Sequence, residues 1–181
     1  KQLRIANPLF HFGLLCVIGG HVVGVLIPKT WTAAIGINDH MYHQGALYMG
    51  AVAGIIFIVG FLLLMKRRFT VPAMKVNTSG LDKWLYLFLT LAIFSGMAGT
   101  LLNASGFFDY RVSIGPWFRS LLSFMPDPSL MEGVPFMFKF HMLAWMVVAI
   151  IFPFSRVVHC LSVPLNYLTR PFIVYRKRDE K

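Results

Sequence analysis

The sequence predicts an all-α transmembrane helical bundle with four spans, and three observations carry that expectation. Only 13% of the 181 residues are charged, against ~25% in a typical soluble domain, and mean hydropathy is +0.67. Four stretches, about 9–27, 46–65, 85–102 and 136–161, approach the ~20 mostly apolar residues that cross a bilayer. The basic residues fall between these stretches instead of forming a stripe along one face, so the net charge of +10 does not describe a nucleic-acid surface. The length suits one integral-membrane domain over 1–181, with a tail over about 162–181.

Each span has a stop signal. Pro28 ends the first, and Lys66, Arg67 and Arg68 end the second. The run Asn103-Ala-Ser-Gly ends the third, and Pro164 follows the fourth. The fourth run is long enough to project or tilt, and Pro153 is a kink position. Between spans three and four, "GPWFRSLLSFMPDP" is too short to cross and reads as an interfacial amphipathic turn with Trp117 and Phe118 at headgroup level. Cys16 and Cys160 lie in apolar segments and read as small buried residues, not a disulfide.

Charge asymmetry orients the bundle. Thirteen basic residues lie at the N-terminus, after span two and in the C-terminal region; only Lys29, Arg111, Arg119 and Lys139 lie in the other two loops. By the positive-inside rule both termini of this stretch are cytoplasmic. The first residue is not Met and no signal peptide is visible, so earlier sequence is expected to precede residue 1.

Four of the six histidines sit in the first and last spans: His11 and His21, His141 and His159. Ionisable groups at membrane depth are costly and mark function. With antiparallel spans, His11 and His159 share the inner level while His21 and His141 share the outer. At 1.5 Å per residue the first pair of positions is ~15 Å apart and the second ~27 Å, which puts two levels towards opposite faces of a ~30 Å core. Eighteen residues make five helical turns, so His141 and His159 share a face if the helix is continuous; His11 and His21 differ by roughly 80°. Facing neutral imidazoles suit axial ligation of haem iron. Arg156 is the inner candidate partner for a haem propionate, and Lys139 a weaker outer one. Hydrogen bonding of each histidine to a neighbouring helix or water is the bland alternative, and two ligands per level are too few for a structural zinc site. Gly13, Gly20 and Gly24 read either as a helix-packing face or as room for a porphyrin.

The segments "NPLFHFG", "GGHVVGVLIP", "LLLMKRR" and "FPFSRVVHCLSVPLNYLTRP" resemble the gamma subunit of respiratory nitrate reductase, a membrane cytochrome b, over essentially the whole chain. The resemblance implies two b haems, the inner held at the positions of His11 and His159 and the outer at those of His21 and His141. It also implies a fifth helix before the first span, a quinol (menaquinol or ubiquinol) oxidised near the outer haem, and electrons leaving to an iron–sulfur beta subunit. A molybdenum-containing alpha subunit then reduces nitrate, and the whole sits in a bacterial or archaeal cell membrane with a cytoplasmic C-terminus. Some family members carry a lysine in the loop after the first span, where this sequence offers His40, Tyr42 and His43. Imidazole accepts protons near neutrality, which makes these three quinol-site candidates, with Gly20 a place of close approach. A related subunit of a heterodisulfide-reductase-like complex and a haem-free membrane scaffold or transporter are the competing functions; span-embedded carboxylates, which a cation pathway would use, are absent from the four runs.

Overall fold

In lipid a backbone without water must satisfy its own N–H and C=O groups, and an apolar run does so as a helix. The computed structural model describes residues 2–155. His159, Arg156, Cys160, the end of the fourth run and the tail over 162–181 lie outside the described residues. Four helices within this range are long and apolar enough to cross a membrane. They cover Gln2–Leu26, Asp39–Thr70, Gly80–Leu102 and Phe136–Phe154 and are built on α1 (Gln2–His21), α3 (Asp39–Thr70), α5 (Gly80–Leu102) and α7 (Phe136–Ile151), joined through the short α2 (Lys29–Ala34), α4 (Pro72–Val76) and α6 (Ile114–Leu122). No strand occurs among the described residues.

The helices outrun the apolar stretches where polar caps extend them. Asn38 accepts a hydrogen bond from Met41 N at 2.9 Å and caps α3, which starts at Asp39, ahead of the apolar run at 46. Ser79 and Asp82 form a reciprocal capping box at the start of α5. Two ends depart from regular geometry. Val22–Leu26 widens into a π turn after α1, and Arg119 Nη1 donates to Val25 O at 2.7 Å there. At the other, Phe152–Phe154 tightens into a 3₁₀ turn and Ser155 is extended. Pro153 sits at this interruption of the α geometry, as a residue whose ring clashes with the preceding turn and which has no N–H to donate. The five regular turns expected between His141 and His159 stop at Ile151.

Packing is pairwise: α1 lies along α3, α7 along α5, and a smaller α3–α5 contact joins the pairs. Lipid supplies no hydrophobic drive between helices, so close fit must hold them. A Cβ on Gly13 would stand 2.6 Å from Phe57 N, and one on Gly60 would meet the backbone of Phe10 and Leu9. Gly13 thus takes the packing role. Phe57 and Phe61, four residues apart on one face of α3, are almost fully buried with Ile93 of α5. At the basic end, Arg68 pairs with the buried Asp82 at 3.4 Å and ties α3 to α5.

Outward faces are apolar: Leu15, Val52 and Ile150 are each more than half exposed, as a lipid-facing bundle requires. Cys16 is exposed on α1 rather than buried, because α1 turns Gly13 and Ala6, not Cys16, into the helix contact. α6 spans nine residues and carries Trp117 and Phe118, in keeping with a segment too short to cross.

Gly60→Val is expected to cost about 1–3 kcal/mol, the scale of overpacking a close contact, read as a lowered midpoint of thermal unfolding in detergent. Gly19→Ala, with no atom within 4 Å of the added carbon, should leave that midpoint unchanged or raise it; equal losses at both sites would contradict the close α1–α3 fit.

Candidate functional site

The three described intramembrane histidines are held in the same way. His11 Nδ1 lies 2.9 Å from Asn7 O and His21 Nδ1 2.7 Å from Val17 O, each a carbonyl one turn back on α1. His141 Nδ1 lies 2.9 Å from Ala92 O on α5 and 3.2 Å from Ser95 Oγ. A carbonyl only accepts, so Nδ1 carries a proton in each ring. None of the three Nε2 atoms has a hydrogen-bond partner among the described residues. Each ring therefore has one nitrogen fixed by a carbonyl and the other without a protein partner.

His21 and His141 face each other from helices in different pairs. Their ring centroids are 5.9 Å apart and the planes differ by 28°. The space for His141 comes from α5: a Cβ on Gly96 would stand 2.7 Å from His141 Cε1. Ser95 and Gly96 were not singled out in the sequence, although Ser95/Gly99 and Gly96/Thr100 form the small-xxx-small pattern of close helix contacts. His11 is exposed, edge-on to Phe10 at 5.2 Å; its predicted partner His159 and the propionate candidate Arg156 lie outside the described residues. Among the described residues no group of three or more His, Cys, Asp or Glu gathers to hold a bare metal ion.

The end of the bundle beyond His21 is polar and ordered by the loop after α5. Asn103 is buried and brackets Phe108, donating to its O at 2.9 Å and accepting from its N at 3.0 Å. Gly106 has φ +74°, and a Cβ there would stand 3.3 Å from His43 Nε2, so both backbone and space call for glycine. His43 Nε2 donates to Ala104 O at 3.1 Å. His43 and Tyr42 line a pocket of about 100 Å³ with Asp39, Phe108, Asp109 and Arg111. The Tyr42 hydroxyl lies 3.4 Å from that of Tyr110, and both tyrosines press on Gly24, where an added Cβ would sit 3.1 Å from each. His40 is exposed on the first turn of α3, and nothing lies within 4 Å of a Cβ built at Gly20. The predicted quinol-site residues thus divide, with Tyr42 and His43 together, His40 outside and Gly20 on an open side of α1.

Electrostatics at this end are locally balanced. Lys29 bridges Asp39 at 2.8 Å and Asp109 at 2.9 Å, joining three segments. Those hydrogen bonds, Asp39 first, raise the Lys29 pKa above its usual 10.5. Burial, before its contact with Tyr42, pushes the Tyr110 hydroxyl well above the usual phenol range. Arg111 is only 4% exposed; its guanidinium lies 3.7 Å from the centre of the Tyr42 ring and donates to the Thr32 hydroxyl. Lys139, the weaker outer propionate candidate, is exposed on α7.

The class defined so far is a membrane helical bundle in which two imidazoles, His21 and His141, face each other from separate helices. The particular family comes from comparison. The family model described as "Nitrate reductase gamma subunit" matches residues 1–178. The nitrate reductase gamma chain of Bacillus subtilis is 49% identical over 99% of this chain and 81% of its own length. The respiratory nitrate reductase 1 gamma chain of Escherichia coli is 30% identical over 98% of this chain and 80% of its own. A nitrate reductase-like protein of Mycobacterium tuberculosis is 40% identical over 99% of this chain, which spans 28% of that longer protein. The chain belongs to the nitrate reductase gamma subunit family: it is a multi-pass membrane subunit of a multi-subunit oxidoreductase.

Lys29→Ala should lower stability by ~1 kcal/mol or less, since the ion pairs are part-exposed and screened, with the loss shrinking at high salt. Because the folded Lys29 pKa is raised, the bridge contributes fully below about pH 10.5 and is lost as pH rises through the folded value. From neutrality upward, unfolding midpoints of wild type and variant should converge only above that pH; convergence near neutrality would contradict the bridge.

Proposed function

We propose that this chain is the quinol-oxidising cytochrome b subunit of a respiratory nitrate reductase, binding two b haems. The outer is held by His21 and His141 and the inner by His11 and His159. The observation that carries the reading is the shared state of the described histidines: Nδ1–H tied to a backbone carbonyl and Nε2 free. A second-shell bond of that kind fixes a ligand imidazole's tautomer and orientation. The 5.9 Å between the His21 and His141 centroids fits two opposed imidazoles, each bonded to one metal at about 2 Å. Simple hydrogen bonding of buried histidines would instead use both nitrogens or leave the rings unrelated.

Bound at these positions, the haems supply one-electron carriage across the bundle. The chain's own residues do the rest. Ala92 O and Ser95 orient His141, and Gly96 gives its ring room. Gly20, on the open side of α1 next to His21, gives the quinol headgroup close approach. His43, Tyr42 and His40 lie on the same outer side as acceptors for the quinol protons. Arg156 is placed by the sequence to meet an inner propionate. The basic end of the bundle, with Lys66, Arg67 and Lys83, is the cytoplasmic end by charge, and the C-terminus lies there. At that end an iron–sulfur beta subunit receives the electrons and a molybdenum-containing alpha subunit reduces nitrate. The quinol is menaquinol or ubiquinol drawn from the surrounding lipid of a bacterial or archaeal cell membrane.

Reduced-minus-oxidised spectra of the intact complex test the pairing. His21→Ala and His141→Ala should each remove the same haem and leave about half the absorbance, while His11→Ala and His159→Ala remove the other. Gly96→Val, which crowds His141 without removing a ligand side chain, should also lose the outer haem. Loss of different haems from His21→Ala and His141→Ala would refute the pairing, and an intact complex without haem would refute the function.

A further inference from the structure

We propose that the small polar chamber between the start of α3 and the 103–113 loop is the proton outlet of quinol oxidation, entered through the Tyr42–Tyr110 hydroxyl pair and left through His43 and the Asp39 and Asp109 carboxylates. The inference rests on the functional reading above and deepens it, giving the quinol protons a defined route from their acceptors to outer water.

Size decides first what the chamber holds. At about 100 Å³ it accommodates roughly three waters at ~30 Å³ each, and it is well below the ~300 Å³ at which ligand pockets begin. A quinone ring with its tail does not enter; water and protons do. Its lining carries the Tyr42 and Tyr110 hydroxyls, the His43 imidazole and the Asp39 and Asp109 carboxylates.

Position decides second what it connects. Gly20 and Gly24 are four residues apart on α1, hence on nearly one face and ~6 Å apart along the axis. A quinol seated on the open side at Gly20 therefore lies about one turn inward of the two tyrosines that press on Gly24. The hydroxyl separation of 3.4 Å is long for O–H···O, whose usual range ends near ~3.0 Å, so a small ring movement or one water completes the link. Burial keeps the Tyr110 hydroxyl protonated. It can pass a proton only as a neutral relay, accepting on oxygen while releasing its own hydrogen.

The charged groups around the chamber suit passage rather than storage. Asp39 and Asp109 stand against Lys29, which bridges them, and against Arg111, whose guanidinium covers the Tyr42 ring. His43 is the lining group of a type that exchanges protons near neutrality; it sits with one nitrogen donated to Ala104 O. Arg111 acts as a positioning residue that holds Tyr42 in place. In balance, each quinol loses two O–H bonds and becomes quinone. Its two electrons would pass one at a time to the single haem that His21 and His141 would hold and onward to the inner one, and its two protons leave through the chamber to outer water.

The test uses the intact complex in membranes, with haem reduction by added quinol followed in a single turnover. Tyr110→Phe and His43→Gln, made separately so that either can decide alone, should slow that reduction roughly tenfold, below the usual range for a positioned proton-transfer group because water offers a bypass. Haem content and dithionite reduction should stay at wild-type levels. The slowed step should gain a solvent deuterium isotope effect, and free imidazole should restore His43→Gln, neither of which a merely structural role would produce. Single-turnover rates within twofold of wild type in both variants would overturn the outlet while leaving the function standing. Failure of the unsubstituted complex to reduce its haems with quinol would instead overturn the functional reading beneath it.

Discussion

In an apolar bundle an imidazole N–H without an acceptor carries the full cost of a buried, unpaired polar group, of order a few kcal/mol. Each described intramembrane histidine meets this constraint with Nδ1 and a backbone carbonyl. Once that bond is made, the ring has little freedom of rotation, and Nε2 is left without a protein partner among the described residues. On α1 the acceptors are the histidines' own i−4 carbonyls. His141 reaches across to α5, so its aim depends on how α5 and α7 pack.

That dependence explains the pairing of the helices. Gly13 and Gly60 let α1 and α3 approach backbone to backbone, and Gly96 lets α7 bring His141 onto α5. Each histidine helix is thereby fixed to a different partner, and His21 meets His141 across the space between the pairs. Small residues set the framework, and the imidazoles inherit their positions from it. The basic end is closed by the Arg68–Asp82 pair, the opposite end by the Lys29 bridge, so the bundle is tied at both ends by charge and along its length by shape.

The polar end beyond His21 obeys the same logic in a wetter setting. The π turn at Val22–Leu26 leaves backbone carbonyls in need of donors, and Arg119 supplies one. Asn103 bonds both backbone groups of Phe108 and thereby shapes the loop that carries Asp109, Tyr110 and Arg111. A loop built this firmly delivers side chains to fixed places against Tyr42 and His43.

Hydropathy by itself determined the class and the four helices long and apolar enough to cross, because lipid acts on each residue independently of its neighbours in space. The family was legible in the runs around His11, His21 and His159. Helix ends were not: Asn38 and Ser79 extend helices into polar sequence, and α7 stops at Ile151 where a long regular helix was expected. Only the tertiary structure decided that Gly13 packs on Phe57 while Gly20 stays open, that Ser95 and Gly96 receive His141, and that Tyr110 and Arg111 join Tyr42 and His43. Those relations pair residues tens of positions apart, and no local pattern encodes which helix face meets which.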